Sequence, residues 1–204
     1  LLPGDHIAIP LAALASGDPQ THRPLVADVI EASGLDAKAW WRACLRALVP
    51  PLVSLAGRGI GLEAHGQNTL LVVADGRPTG AVYRDFGGVR LHHDALAALG
   101  IDTVEGDIAT DDHETVHTKL IAAGFSVALA QLVDALTRAY PGRSADWWRA
   151  VADTAAAASA DHPELRSRLF AATWPIKATT AMRLSDDPTA DQWATVPNPI
   201  GGLP

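Results

Sequence analysis

Two short blocks hold the side chains of this sequence best suited to chemistry. The first, Glu63-Ala-His65-Gly-Gln67-Asn68, puts a carboxylate, an imidazole and two carboxamides into six residues, with Gly66 permitting close backbone approach. The second, Arg84-Asp85-Phe86-Gly87-Gly88, follows one hairpin later. A magnesium ion on a nucleotide takes hard oxygen ligands and draws only one or two from the protein, a demand that Asn68 and Asp85 meet. Phosphate oxygens call for donors, and His65, Gln67 and Arg84 carry them. A plainer reading makes Asn68 and Asp85 turn-formers and Arg84 half of a surface ion pair; pattern alone leaves both open.

A third cluster, His113-Glu114-Thr-Val-His117, matches the zinc-peptidase pattern, in which two histidines one helical turn apart hold zinc and the glutamate activates water. No third histidine follows at the required spacing near Gly124, and the next glutamate is the distant Glu164. An exposed helix face is the competing reading. His92-His93-Asp94 follows the second block either as pocket border or as solvated loop. Lysines are few, only Lys38, Lys119 and Lys177, and Lys177 stands out in an otherwise uncharged stretch. Lys177 and Arg183 share a face if they lie on a strand but not if they lie on a helix.

These residues need elements to hold them. Leu25, Val26, Val29 and Ile30 fall at helical spacing and predict a short helix from Leu25 to Ala32, stopped by Ser33-Gly34. Asp36 can cap a second helix through Trp40, Trp41, Cys44, Leu45 and Leu48; Pro50-Pro51 is expected to kink or end it, with Leu52 to Leu55 resuming. From Ile60 to Phe86 the pattern turns to β. Thr69-Leu-Leu-Val-Val73 and Ala81-Val-Tyr83 flank a loop containing Asp75-Gly76, a strong signal for a tight hairpin. A two-residue Asp75-Gly76 loop sets Asn68 opposite Tyr83 and Gly66 opposite Asp85, unless Pro78 shifts the register. Asn68 and Asp85 are then diagonal neighbours, roughly 7 to 8 Å apart at the backbone and near enough to share one ion.

Beyond Gly87-Gly88 helix returns. Ala95 to Leu99 is short, and Thr110 or Asp111 caps a longer run through Val116, Leu120, Val127, Leu132 and Leu136 that Gly124 interrupts. Ser144 caps a helix carrying Trp147, Trp148 and Val151, and Asp161-His-Pro-Glu164 has the form of a capping box with proline in the first turn. In each pair, Trp40-Trp41 and Trp147-Trp148, one ring is expected in the core and the other at its rim. The tail, rich in Asp, Pro and Gly, reads as loop. The expected fold class is α+β: a small antiparallel sheet, with its hairpin near 60–86, packed with predominantly α-helical segments in one unit over 1–204.

Composition narrows the function classes. A chain of 204 residues, 48% apolar and 19% charged, can bury a substantial core without disulfides, and no apolar run reaches the roughly 18 to 20 residues that span a bilayer. Its opening Leu1-Leu2-Pro3-Gly4 has neither a start methionine nor a secretory pattern, and reads as the cut end of a longer chain. The single Cys44 excludes an internal disulfide and a four-cysteine iron–sulfur cluster in this sequence, and makes the cytoplasm the default compartment. A net charge of −7 with dispersed arginines gives no footprint for nucleic acid.

Taken together, Gly59-Ile-Gly-Leu-Glu63-Ala-His65-Gly-Gln67-Asn68 and Arg84-Asp85-Phe86-Gly-Gly88, with the hairpin between them, resemble the NRPS-independent siderophore synthetases of the aerobactin-synthetase-like family. The resemblance extends through the upstream Trp-containing helix, the stretch from Lys177 to Arg183-Leu184 and the closing Asn198-Pro199. It implies a carboxy-terminal, palm-like domain of an ATP-dependent ligase acting in siderophore biosynthesis. There a carboxylate of citrate or a related polycarboxylate attacks the α-phosphate of ATP, pyrophosphate leaves, and an amine or alcohol captures the acyl adenylate. By the same resemblance His65, Gln67, Asn68 and Asp85 surround the triphosphate and its Mg2+, with Glu63 lining the pocket. His65 is the catalytic candidate, Asn68 and Asp85 the metal ligands, and Lys177 and Arg183 the residues for the carboxylate substrate. The partners implied are the acid and its nucleophile, with neither nucleic acid nor membrane, and a homodimer left open. The family's phosphate-gripping Ser/Thr and Arg segment has no counterpart in this sequence, so half a site and weak or no activity alone are expected. A ferric-siderophore reductase or non-catalytic binding module is the remaining alternative.

Overall fold

The computed structural model describes residues 4–102, 105–187 and 191–202; Leu1-Leu2-Pro3 of the opening, Pro188-Thr189-Ala190 and the last two residues of the tail lie outside the described residues. The chain runs β1 (His6–Pro10), α1 (Leu11–Ala15), α2 (Leu25–Ser33), α3 (Ala37–Gly57), β2 (Ile60–Gly61), β3 (Thr69–Ala74) and β4 (Arg77–Tyr83). It continues with β5 (Arg90–His92), α4 (His93–Ala97), β6 (Ala109–Thr110), α5 (His113–Leu120), a π-helical segment Ile121–Leu129, and α6 (Ala130–Ala139). Last come α7 (Ser144–Ala158), α8 (Pro163–Leu169), β7 (Thr173–Lys177), α9 (Thr179–Arg183) and β8 (Trp193–Pro197). This is the expected mixed α and β class, but the described residues form three small sheets rather than one: β1-β3-β4, β2-β5-β6 and β7-β8.

Helix α3 organises the core. Asp36 caps it by accepting from the Lys38 and Ala39 backbone N–H groups at 3.0 and 3.1 Å. Contrary to the expected break, the helix passes through Pro50-Pro51 to Gly57 without interruption. The two prolines leave the carbonyls of Arg46 and Ala47, one turn earlier, without helical donors, and these residues lie on exposed and half-buried positions where water can take the place. The opposite face buries Trp40, Trp41, Cys44, Leu45, Leu48, Val49 and Val53. Both Trp40 and Trp41 are interior, against the core-and-rim expectation, because each indole N–H finds a carbonyl: Gly76 at 2.8 Å and Trp147 at 3.1 Å. Trp147 and Trp148 do divide between core and rim.

The hairpin forms where the sequence puts it, with Asp75 and Gly76 both at positive φ. Its register is the expected one only for Ala74↔Arg77 and Val73↔Pro78, after which Val72 pairs with Gly80 and Thr79 becomes an extra residue in a β-bulge. Pro78 has no N–H to donate, and the Thr79 hydroxyl donates instead to the Val72 carbonyl at 3.2 Å. Thr69 therefore faces Tyr83, and Arg84 donates its N–H to the Asn68 carbonyl at 3.0 Å, correcting the expected pairing of Asn68 with Tyr83.

The run His113–Ala139 is long and apolar enough to cross a membrane by length and composition, yet 67% of its most apolar window is buried in the protein, as in a core helix. Its cap is Asp112, one residue past the expected pair, accepting from the Glu114 and Thr115 N–H groups at 2.8 and 3.1 Å. Gly124 does not interrupt it; the run widens into the π-helical turns between α5 and α6. Ser144 begins α7 without a side-chain cap, and α8 carries Pro163 at its first position but lacks the expected side-chain capping bond. The tail departs furthest from expectation. Trp193–Pro197 forms β8, antiparallel to β7, where a loop was expected.

Candidate functional site

The segment from Glu63 to Asn68 folds into a tight turn. The His65 N–H donates to the Glu63 carbonyl at 3.0 Å, and the His65 carbonyl accepts from the Asn68 and Thr69 N–H groups, each at 3.0 Å. The Gln67 N–H donates to His65 Nδ1 at 3.3 Å, which leaves the ring proton of the neutral imidazole on Nε2. Gly66 accepts from the Ala12 N–H of α1 at 2.9 Å, and a Cβ at position 66 would sit 3.0 Å from that nitrogen. Glycine is thus what lets the turn dock on the start of α1.

The hairpin brings the second block beside the first. Arg84 Nε donates to the Gln67 carbonyl at 3.0 Å. A recess of about 10 Å³ is lined by Leu62, Glu63, Asn68, Arg84 and Asp85 among others, so the two blocks meet in a space about the size of one water molecule. Asn68 is 8% exposed, and its Nδ2 donates to the Glu63 carbonyl at 3.4 Å, leaving Oδ1 as an unshared acceptor. Asp85 stands at φ 62°, in the left-handed region, with Oδ1 accepting from the Gly87 N–H at a long 3.4 Å. Asn68 and Asp85 therefore border the same recess by way of the bulged register and the left-handed turn.

Next to this recess opens a cavity of about 350 Å³, bordered by Glu63, His65, Gln67, Lys119, Lys177 and Trp193, with apolar walls from Ala12 and the π-helical segment's Ala122, Ala123 and Val127. Its floor is a charge network drawn from five places in the chain. Lys177 Nζ lies 3.0 Å from both Glu63 Oε1 and Asp191 Oδ1. Lys119 Nζ, on a residue 2% exposed, lies 2.6 Å from Asp191 Oδ2 and 3.7 Å from Glu63 Oε1, with the Trp193 ring centroid at 5.5 Å. Arg90 Nη2 completes the network at 3.1 Å from Asp191 Oδ2. Burial by itself would raise the Asp191 carboxyl, but hydrogen bonds from Lys119 and Lys177 outweigh it and hold the group below the usual range. Burial would likewise lower Lys177, and its bonds to Asp191 and Glu63 reverse that to a net rise.

Of the residues singled out in the sequence, Glu63, His65, Gln67 and Lys177 line the cavity, and Asn68, Arg84 and Asp85 line the adjoining recess. Arg183 is not brought in: it ends α9 on an exposed position, while Lys177 ends β7, so the two share neither a strand nor a helix. Lys119, Asp191 and Trp193 are the additions. Lys119 left a signal, a lysine next to the apolar run beginning at Leu120, whereas Asp191 and Trp193 lay in a tail read as loop. The His113–His117 spacing is helical, but the Glu114 carboxylate turns to Arg168 at 2.7 Å and the His113 ring stacks on His92 with centroids 3.7 Å apart. Among the described residues no group of three His, Cys, Asp or Glu side chains is arranged to hold a metal ion. Cys44 is fully buried, and burial pushes its thiol far up.

Comparison with known proteins places this chain in a family. Residues 38–192 match the family described as ferric iron reductase FhuF-like transporter. The chain is 33% identical over 190 residues to the NRPS-independent siderophore synthetase-like protein ankE of Aspergillus thermomutatus, covering 88% of this chain and 30% of that protein. Its fold superposes on the petrobactin biosynthesis protein AsbB of Bacillus anthracis with a TM-score of 0.80 at 21% identity, over 98% of this chain and 36% of the other. It also superposes on ATP-bound aerobactin synthetase IucA of Klebsiella pneumoniae with a TM-score of 0.75 at 20% identity, over 96% and 37%. The chain thus spans about a third of the length of these relatives. It belongs to the FhuF-like family and is a homologue of the NRPS-independent siderophore synthetases, its partial coverage fitting their carboxy-terminal portion.

Proposed function

We propose that this chain is the carboxy-terminal domain of a cytoplasmic, ATP-dependent siderophore synthetase and forms the magnesium-triphosphate side of its site. The observation that carries the reading is the convergence of the Glu63–Asn68 turn and the Arg84–Gly88 loop on one recess at the edge of a 350 Å³ cavity. The relative captured with ATP supports the choice of nucleotide through its shared fold. The reaction is adenylation of a citrate-like carboxylate with loss of pyrophosphate, followed by capture of the acyl group by an amine or alcohol.

The residues present fit a hard cation. Among the described residues the Asn68 carboxamide oxygen has no donor and the Asp85 carboxylate one weak donor, and both border a space the size of one small ligand. A magnesium ion held there would neutralise charge on the phosphates. The chain's own residues do the rest by positioning. His65 presents an Nε2–H donor to a phosphate oxygen at the cavity wall, the Gln67 carboxamide offers a second donor, and the exposed Arg84 guanidinium is tethered beside them. Lys177 supplies positive charge for the acid's carboxylate, with Glu63 fixing its ammonium. The reductase in the family's name calls for an iron–sulfur cluster, for which Cys44 alone provides no ligand set.

The test is citrate-dependent ATP–pyrophosphate exchange by the full-length enzyme. His65→Ala should lower the exchange rate by about 10² or more while the protein remains folded, consistent with loss of one transition-state donor. Exchange at the wild-type rate in His65→Ala, or robust exchange by the 204-residue chain alone, would contradict the proposal.

A further inference from the structure

We propose that Lys119 and Lys177 form a two-lysine seat for a substrate carboxylate at the cavity floor, and that Asp191 is the positioning residue that holds the two ammonium groups together. This rests on the synthetase reading and specifies how the acid is gripped. Lys119 is the least expected member. It lies beside the apolar run of the long helix, is 2% exposed, and still borders the cavity. A buried ammonium is retained only where counter-charge surrounds it, and here Asp191 at 2.6 Å, Glu63 at 3.7 Å and the face of Trp193 at 5.5 Å do so.

Asp191 spans both lysines with different oxygens, Oδ2 to Lys119 and Oδ1 to Lys177, while Arg90 anchors Oδ2 from behind at 3.1 Å. Arg90 is itself pinned by its donation to the Val89 carbonyl at 2.9 Å. Among the described residues the network holds three cations, Arg90, Lys119 and Lys177, against two anions, Glu63 and Asp191, a net charge of one positive, and its members at the cavity wall are Glu63, Lys119 and Lys177. Each ammonium has three N–H donors, of which the two carboxylates take one from Lys119 and two from Lys177. The remaining donors and the net charge suit an incoming carboxylate. Without Asp191 the two ammonium groups share only Glu63 and repel each other out of register.

Calorimetric titration of the full-length enzyme with citrate as the polycarboxylate probe, run beside a titration with Mg·ATP, tests the seat. Lys119→Met, which keeps the length of the side chain and removes its charge, should weaken citrate binding about tenfold or more and leave Mg·ATP binding unchanged. Asp191→Asn should weaken citrate binding similarly, and Asp191→Glu should restore part of it. Citrate bound normally by Lys119→Met, or more tightly by Asp191→Asn, overturns the proposal; the second result would make Asp191 a competitor instead. A wild-type measurement covers the case of an unfolded variant. Citrate should change the fluorescence of Trp193, which is 38% exposed beside Lys119, and the change should vanish in Trp193→Phe. A citrate response that persists in Trp193→Phe, or a wild type that binds Mg·ATP and no citrate, overturns the seat while the nucleotide reading stands. A wild type that binds neither overturns both.

Discussion

Substituting Gly88 by alanine should disable the candidate site through a single contact. A Cβ at position 88 would collide with the Glu63 carboxylate and stand 2.7 Å from Glu63 Cδ and 3.0 Å from Glu63 Cβ. The carboxylate cannot simply swing away without releasing Lys177, which it holds at 3.0 Å. That bond joins side chains 34% and 20% exposed, so its loss costs only about 1 kcal/mol. Crowding at Glu63 Cβ adds about 1 to 2 kcal/mol, as overpacking usually does. A total near 2 to 3 kcal/mol corresponds to a drop in Tm of roughly 4 to 12 °C for a chain of this size. Thermal denaturation followed by circular dichroism reads it directly. The same substitution made in a Glu63→Ala background should cost about 1 kcal/mol less, because the carboxylate it displaces is gone while the crowding at the position-63 Cβ remains. Equal losses in the two backgrounds, or a loss below about 0.5 kcal/mol in the first, would refute the reasoning.

Other perturbations follow from the same geometry. Gly61→Ala places a Cβ 2.6 Å from the Val116 carbonyl, a backbone atom that cannot rotate aside, and should destabilise by about 2 to 3 kcal/mol in urea unfolding. Asp36→Ala removes the cap of α3 and should cost about 1 kcal/mol in the same assay. Burial, then the nearby charges of Arg168 and His113, depress His117 to about 4, so the fold favours its neutral form. The resulting stability is complete above the unfolded value near 6.5 and is lost as pH falls from there to about 4, a change of about 3 kcal/mol. Urea midpoints at pH 7 and pH 4.5 should differ less in His117→Gln than in the wild type.

What the sequence made legible was local. Asp75-Gly76 announced the hairpin because the turn's geometry depends on those two residues alone, and Gly34, at φ 66°, ended α2 for a similar reason. Register was not local. It depended on Pro78 lacking a donor and on the Thr79 hydroxyl reaching Val72, which together insert a bulge. Pro50-Pro51 looked like a break, yet the buried face of α3 on both sides of the pair outweighs two missing hydrogen bonds at a wetted edge. In the candidate site, the residues between Glu63 and Asp85 were legible because one hairpin carries them. Asp191 and Trp193 were not, since their place depends on β8 finding β7 across the intervening α9. Lys119 stood between the two cases: its position beside an apolar run was visible, but its counter-ion was not.

The proposed role of Asn68 and Asp85 as ligands of a nucleotide-bound metal is decided by the magnesium dependence of ATP binding. ATP should be titrated calorimetrically into the full-length enzyme with and without Mg2+, for the wild type and for Asn68→Ala and Asp85→Ala. Magnesium should tighten ATP binding in the wild type, and most of this gain should be lost in each variant. An undiminished magnesium-dependent gain in both variants would contradict it.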